Sequence, residues 1–203
     1  MQLKIEPQTA KRERYSTPES AGGKASSHVL DLAIQRQELS NWCWAAIAAS
    51  LGDFYRRRHF TQHEIASRML GYDCSCLASD PEAAARCDVF AMLDEALRVT
   101  ECYSHWSPGR PTFERLCAEI GSGRPLCVGI DWQIGGSHYA VVSGCYVETR
   151  EIYVVDPLHG PSVQPFDAFP ATYRGTGGMW RGTFWTQRPT ASQSGPKNEG
   201  MNA

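Results

Sequence analysis

The chain has 203 residues and a mass of 22.5 kDa, which suits one domain with a hydrophobic core and is short for two. Hydrophobic residues make up 42% of it, and 6 Trp, 8 Tyr and 7 Phe exclude a chain that is disordered throughout. The formal net charge of -2 excludes the strong positive field that favours nucleic acid or an anionic membrane.

No targeting or membrane pattern is visible in the sequence. The longest apolar run, from Trp42 to Leu51, is about half of the roughly 20 residues that a membrane-spanning helix needs. The opening run MQLKIEPQTAKRERYSTPES contains no apolar h-region, so no Sec-type signal peptide is expected. We therefore predict a protein that is cytoplasmic or is exported without a cleaved leader.

Composition divides the chain into three parts. Residues 1–28 are rich in Ser, Glu, Lys, Arg and Gly, and we predict a flexible arm there. Residues 188–203 are also polar and predict a flexible tail. Residues 29–187 contain no internal repeat and are predicted to form a single domain.

The first half of this domain has helical patterning. The Ala-rich run SNWCWAAIAASLGDFYRR, residues 40–57, predicts a helix. The run TQHEIASRML predicts a second helix, because Thr61 followed three residues later by Glu64 forms a capping box. The segment that follows, GYDCSCLASDPEAAARC, has the composition of a loop.

Two further helices are predicted before the pattern changes. DVFAMLDEALRVT has apolar residues at helical spacing from Val89 to Leu97. PTFERLCAEIGSG predicts a short helix that starts after Pro111 and ends at Gly121. After Gly121, four short runs rich in Val, Ile and aromatic residues predict strands: PLCVGIDW, SHYAVVSGCYV, EIYVVDP and MWRGTFWT. Because helices come first and strands second, we predict an α+β fold, with a helical half packed against an antiparallel sheet.

Cys43 is the candidate nucleophile. It lies in the run NWCWAA, at or near the first turn of the Ala-rich helix. The positive end of a helix dipole favours the thiolate form of a cysteine, and the thiolate is the nucleophile. Gln37 lies six residues earlier, where its amide could join the Cys43 backbone N–H in holding a developing oxyanion.

His138 and Asp156 are the candidate partners of Cys43. His138 begins one predicted strand and Asp156 ends the next. Pairing the two places the hairpin centre at residue 147, beside the polar turn VETRE, so the side chains can meet near one end of the sheet. His138 would then accept the thiol proton and Asp156 would orient the imidazole.

These residues resemble those of the papain-like cysteine peptidases. The six-residue step from Gln to Cys, the Trp after the Cys, and the order Cys, His, Asp are shared with that superfamily. The runs NWCWAA, HYAVV and VDP are most similar to the small bacterial avirulence-effector-type group. The resemblance covers residues 37–185, and it implies a helical lobe that carries Cys43, a sheet lobe that carries His138 and Asp156, and hydrolysis of peptide bonds through a thioester.

The sequence departs from plant and lysosomal papain relatives at the third catalytic position. Those relatives use Asn followed by Ser-Trp, whereas this chain has Asp156 followed by Pro157-Leu158. The resemblance also allows a local disulfide in the Cys-bearing loop, such as Cys76 to Cys87. Free thiols in that loop are the simpler expectation, since Cys-x-Cys with isolated partners matches structural zinc sites poorly. No metal or cofactor is expected.

Several functions stay open at this point. The first is a cysteine peptidase that acts as a bacterial effector or toxin. A double-glycine leader peptidase and a papain-fold acyltransferase use the same residues, and a binding module that has lost its chemistry is the alternative outside the enzymes. We expect a monomer that acts on a protein or peptide substrate and has no nucleic-acid or membrane partner, with an inhibitor or immunity protein as a candidate partner.

Overall fold

The computed structural model describes residues 27–56, 59–75, 81–175 and 177–190. These residues contain five helices, which are α1 (Cys43–Arg56), α2 (Gln62–Leu70), α3 (Pro81–Cys87), α4 (Leu93–Val99) and α5 (Phe113–Gly121). They also contain seven strands, which are β1 (His28–Val29), β2 (Tyr103–Pro108), β3 (Leu126–Trp132), β4 (Ser137–Tyr146), β5 (Glu151–Asp156), β6 (Gly160–Pro165) and β7 (Gly178–Thr186).

The strands form one antiparallel sheet in the order β2-β7-β3-β4-β5-β6, and β1 pairs with β4. β4 and β5 are neighbours, as the hairpin argument requires, and β3 flanks β4 on the other side. Together with the helices, this sheet confirms the predicted α+β class. β2 lies between α4 and α5 in the chain, so helices and strands are less strictly separated along the sequence than their patterning indicates.

The two faces of the sheet are covered by different helices. Residues of α1, α2 and α4 share one buried cluster with Tyr139 and Val141 of β4. Residues of α5 share the other cluster with Ala140 and Val142 of the same strand. This alternation follows from the two-residue period of a strand, and it explains why β4 is apolar over almost its whole length.

Local capping fixes two of the helices where the sequence predicts them. The Thr61 hydroxyl accepts a hydrogen bond from the Glu64 N–H at 3.1 Å and starts α2. The Thr112 hydroxyl accepts one from the N–H of Arg115 at 3.2 Å and starts α5. Such caps satisfy backbone donors that the helix itself leaves without partners.

The segment between α2 and α4 differs from the prediction. Residues 81–87 form the helix α3, although this stretch reads as a loop; Pro81 stands at its first position, a helix-start signal that sequence reasoning missed. Residues 88–92 are not helical, and α4 begins only at Leu93. The Val89 carbonyl serves instead as the acceptor for the buried Trp44 side chain, as described below. The edge strands β2 and β6 were also missed, since YSHWSP and GPSVQP lack the apolar alternation of a strand.

A disulfide joins Cys74 to Cys87, with 6.0 Å between their Cα atoms. The expectation of free thiols in this loop is therefore wrong for these two residues. The suggested pairing of Cys76 with Cys87 is wrong as well, because Cys87 has Cys74 as its partner; Cys76 itself lies outside the described residues. Sequence spacing alone does not choose between two cysteines that are two positions apart, whereas the position of α3 does.

The predicted arm and tail fall mainly outside the residues that the structure describes. At the N-terminal end, His28 is paired with Cys145 across β1 and β4. At the C-terminal end the description continues to residue 190. None of the helices in the described part of the chain combines the length and apolar character needed to cross a lipid bilayer.

Candidate active site

Cys43 is the first residue of α1 and is 3% exposed. Trp42 and Trp44 flank it and are fully buried. The backbone N–H groups of a first helical turn have no partners within the helix, and they form the positive end of the helix dipole. The first turn of α1, all of it described, carries no acidic side chain that would oppose this field. The position therefore stabilises negative charge on the Cys43 sulfur.

The segment that follows α3 holds the start of α1 in place. Asn41, Trp42 and Trp44 all donate hydrogen bonds to the end of α3 or to the residues after it. The two indole N–H groups donate to backbone carbonyls. The bonds run from Asn41 N to Asp88 Oδ1 (2.7 Å), Asn41 Nδ2 to Asp88 O (3.0 Å), Trp42 Nε1 to Cys87 O (2.7 Å) and Trp44 Nε1 to Val89 O (3.0 Å). Because the disulfide joins Cys87 to Cys74, these bonds hold the start of α1 against the segment between α2 and α4.

His138, near the start of β4, lies between Cys43 and Asp156. Its Nε2 is 3.0 Å from Asp156 Oδ1, and its ring also interacts with the Cys43 side chain. Since Nε2 is bonded to the carboxylate, Nδ1 is the nitrogen left for the sulfur. Burial works to lower the pKa of His138, but the hydrogen bonds and negative charges of Asp156 and Cys43 outweigh it and raise that pKa to about 9.

Asp156 ends β5 and is 1% exposed. Its Oδ1 accepts from His138 Nε2 and from the backbone N–H groups of Leu158 (2.7 Å) and His159 (3.0 Å). Its Oδ2 accepts from the Tyr173 hydroxyl at 2.9 Å. Burial would raise the pKa of Asp156, and the hydrogen bond and charge of His138, with the two backbone donors, lower it instead. Asp156 thus caps its own turn and orients the histidine at once.

The hairpin is offset from the symmetric pairing used in the sequence argument. Val141 pairs with Val155 and Val142 with Val154, and a bulge follows before Gly144. Extending this register places Asp156 opposite Ala140, so His138 is its diagonal neighbour two residues along β4. A diagonal pair on one face of a sheet is still within reach of long side chains, which explains why the two meet despite the offset.

Gln37 reaches the same region from the loop before α1. It is 8% exposed, and its backbone N–H donates to the carbonyl of Pro157, next to Asp156, at 2.9 Å. Its Nε2 donates to the carbonyls of Leu39 (3.0 Å) and Ser40 (2.7 Å). Its Oε1 is buried without a hydrogen-bond partner among the described residues. To hold an oxyanion, the Nε2 must exchange one of these carbonyls for the substrate.

Two aromatic residues that sequence reasoning missed lie against this group. Trp132 is stacked on His138, with ring centroids 6.4 Å apart and an interplanar angle of 20°. Trp132 is also stacked on Tyr173, again at 6.4 Å and with an angle of 19°. Trp132 ends β3, whose neighbour is β4, so strand pairing would have found it. No local signal marks Tyr173, which lies 17 residues from Asp156 in the chain.

A cavity of about 280 Å³ lies between β4 and the residues before α4. Ser137 and Tyr139, the neighbours of His138 in β4, both line it. Exposed Phe90 and Met92 contribute from the helical lobe, and exposed Trp106 contributes from β2. Its charged lining residues are Asp94, Asp131 and Arg181. The cavity is therefore mainly apolar with a few charged groups, which is typical of sites that bind organic ligands or peptide side chains.

Comparison with known proteins relates this arrangement to a family. Residues 26–174 match the family described as papain-like cysteine protease AvrRpt2. No curated protein resembles the chain closely enough to count as a match.

Three solved structures are similar in fold. A C39-like peptidase from Bacillus anthracis is 13% identical, with a TM-score of 0.51 over 82% of this chain and all of its own. Xylellain, a cysteine protease from Xylella fastidiosa, is 14% identical, with a TM-score of 0.48 over 81% of this chain and 86% of its own. A double glycine motif protease from an AMS/PCAT transporter, solved with a leader peptide, is 17% identical, with a TM-score of 0.47 over 80% and 95%.

Proposed function

Because the chain belongs to the AvrRpt2 family of papain-like cysteine proteases, we propose that it hydrolyses peptide bonds through a catalytic triad of Cys43, His138 and Asp156. One observation carries this assignment. The His138 ring bonds to the Asp156 carboxylate and interacts with the Cys43 side chain, which stands at the positive end of a helix. A nucleophile, a base and an orienting group in contact are the parts that covalent catalysis needs.

The geometry assigns each residue a step. The Cys43 thiolate attacks the carbonyl carbon of the scissile bond, and the negative charge moves to the carbonyl oxygen. The Cys43 backbone N–H and the Gln37 amide hold that oxyanion. The His138 imidazolium gives its proton to the leaving amine, and a thioester remains. His138 then takes a proton from water, the resulting hydroxide attacks the thioester, and the acid product and the thiolate are released with the imidazolium restored.

The cavity lined by Tyr139 is proposed to receive a bulky apolar side chain of the substrate. Tyr139 lines the cavity and belongs to the same buried cluster as Cys43, so the cavity lies on the side of β4 that faces Cys43, and a substrate residue near the scissile bond can reach it. Met92 is 49% exposed in its wall, and a larger side chain there fills part of the space. Met179 is 62% exposed and is not among the cavity residues, which makes it a matched control.

We expect Met92→Trp to raise KM for peptides with a large apolar residue near the cleavage site about tenfold, the equivalent of about 1.4 kcal/mol of lost contact. Peptides with Gly at that position should be affected much less, and Met179→Trp should change neither. Steady-state kinetics on a small set of fluorogenic peptides measures this. An equal rise in KM for both peptide classes would show that the cavity does not select the substrate.

We propose further that the protease acts as an effector on the proteins of another cell. The likeness of the runs NWCWAA, HYAVV and VDP to the avirulence-effector-type group motivates this proposal. Mass spectrometric mapping of new protein N-termini, after cell extracts are exposed to the active protein and to Cys43→Ala, tests hydrolysis and identifies the targets together. N-termini that appear with the active protein alone would identify cleavage sites. Identical maps from both samples would refute hydrolysis of these proteins, and products that carry an added amine would indicate acyl transfer instead.

A further inference from the structure

The Asp156 carboxylate is held from both of its oxygens. Three donors share Oδ1, as described above, whereas the Tyr173 hydroxyl is the donor to Oδ2 among the described residues. Tyr173 is 2% exposed and Asp156 is 1% exposed, so solvent does not compete for this contact. A buried carboxylate oxygen without a donor is costly, which makes the hydroxyl a significant part of the environment of the acid.

The Tyr173 ring is itself fixed on several sides. Trp132 stacks on one face, the Phe169 ring meets it edge-on with centroids 5.1 Å apart, and the Arg174 guanidinium lies 5.0 Å from the ring centroid. The same Trp132 stacks on His138. Trp132 therefore contacts both the His138 imidazole and the Tyr173 ring, whose hydroxyl bonds to Asp156.

We propose that Tyr173 is a positioning residue of the triad: its hydroxyl fixes the plane of the Asp156 carboxylate so that Oδ1 faces His138 Nε2. This inference rests on the proposed function in so far as it concerns the triad. Without the hydroxyl, only the three bonds to Oδ1 resist rotation of the carboxylate about its Cβ–Cγ bond, and a small rotation worsens the alignment of the bond to the imidazole. With both oxygens bonded, it has a single orientation.

The hydroxyl also has an electrostatic effect with a definite sign. By donating to Oδ2 it takes up part of the negative charge of Asp156. Without it, the pKa of Asp156 rises, so the charge that favours the His138 imidazolium forms only at higher pH. The reactive pair of Cys43 and His138 depends on that imidazolium and therefore also forms at higher pH. Loss of the hydroxyl therefore moves the acid limb of Cys43 reactivity upward in pH.

Tyr173→Phe tests this because it removes the hydroxyl and keeps the ring. Tyr55→Phe is the matched control, since the Tyr55 hydroxyl is buried and hydrogen-bonded to Thr186 at 2.6 Å in the contact of α1 with β7. The readouts are the pH dependence of Cys43 alkylation by iodoacetamide, and kcat and KM for a cleaved peptide. For Tyr173→Phe we expect the acid midpoint to rise by about one pH unit and kcat to fall about tenfold with little change in KM. Tyr55→Phe should leave all three unchanged.

A second variant keeps the test decisive if Tyr173→Phe does not fold. Fluorinated tyrosine at position 173 has the same shape and a stronger hydroxyl donor, so its acid midpoint should move to lower pH. If the acid midpoint of Cys43 alkylation does not move in the folded variants, the proposal is overturned. Tyr173 then has a structural role only, even where kcat or the melting temperature falls. Alkylation of Cys43 needs no substrate, so this test does not depend on peptide cleavage. The proposed function is tested separately, by cleavage that the wild type shows and Cys43→Ala lacks.

Discussion

Replacing Asp156 by Asn removes the charge beside His138 while leaving the local geometry intact. The Asn Oδ1 can still accept from His138 Nε2 and from the N–H groups of Leu158 and His159. The Asn Nδ2 takes the place of Oδ2 and can donate to the Tyr173 hydroxyl, which acts as donor or acceptor. Asp156→Ala loses all of these bonds, so the comparison of the two variants separates charge from structure.

The structure gives the direction and the size of the effect. The pKa of His138 is raised from 6.5 to about 9, a difference worth roughly 3 kcal/mol at about 1.4 kcal/mol for each tenfold change. Burial opposes this rise, and the hydrogen bonds and charges of Asp156 and Cys43 produce it. Since the pKa is raised, the His138 imidazolium, which we propose protonates the leaving amine, persists until the pH approaches 9. Without the Asp156 charge, we expect the alkaline limb to move down by about 1–2 pH units.

The assay is the pH profile of kcat/KM for a fluorogenic peptide, measured for wild type, Asp156→Asn and Asp156→Ala. Asp156→Asn should keep part of the activity below its new alkaline limb, Asp156→Ala should keep less, and His138→Ala almost none. Asp167→Asn is a suitable control, because Asp167 pairs with Arg150 at the surface. An alkaline limb that stays in place in Asp156→Asn would mean that Asp156 only caps its turn, and the triad assignment would be wrong.

Two further predictions concern the nucleophile and its oxyanion donor. Gln37→Ala should lower kcat by about 10²–10³ without unfolding the protein. Gln35→Ala removes a comparable bond from the Gln35 side chain to a backbone carbonyl (2.7 Å) and should leave kcat unchanged. Steady-state kinetics measures both variants, with circular dichroism as the check on folding, and equal losses in kcat would remove Gln37 from the site. Limiting iodoacetamide at neutral pH, followed by peptide mapping, should label Cys43 first, because burial raises the pKa of Cys117 to about 12 and raises that of Cys145 as well. Preferential labelling of Cys117 would contradict the assignment.

The parts of the fold that depend on neighbouring residues could be predicted from the sequence. Thr61 and Thr112 start helices through bonds to N–H groups three residues away, so the signal and its effect lie within one turn. The four apolar strands after Gly121 were found because burial on both faces leaves a continuous run of Val, Ile and aromatic residues. The candidates Cys43, His138 and Asp156 were found in the same way, from a helix start and two strand ends.

The parts that depend on distant contacts could not be predicted in this way. Residues 88–92 have helical spacing but remain outside a helix, and the Val89 carbonyl accepts from the indole of Trp44, 45 positions earlier. The partner of Cys87 depends on where α3 packs, which the spacing of Cys74 and Cys76 does not encode. Edge strands bury little, so β2 and β6 carry no apolar pattern that would reveal them.

The candidate site shows the same division. Sequence order alone was enough to bring His138 and Asp156 onto neighbouring strands, because a hairpin has few alternatives. Tertiary structure decided which atoms meet: the bulge in β4 makes the pair diagonal, and packing on Trp132 brings the Tyr173 hydroxyl to the second carboxylate oxygen. Local patterns record what each segment must bury, but the partner of a buried polar atom is set by the whole arrangement of elements around it.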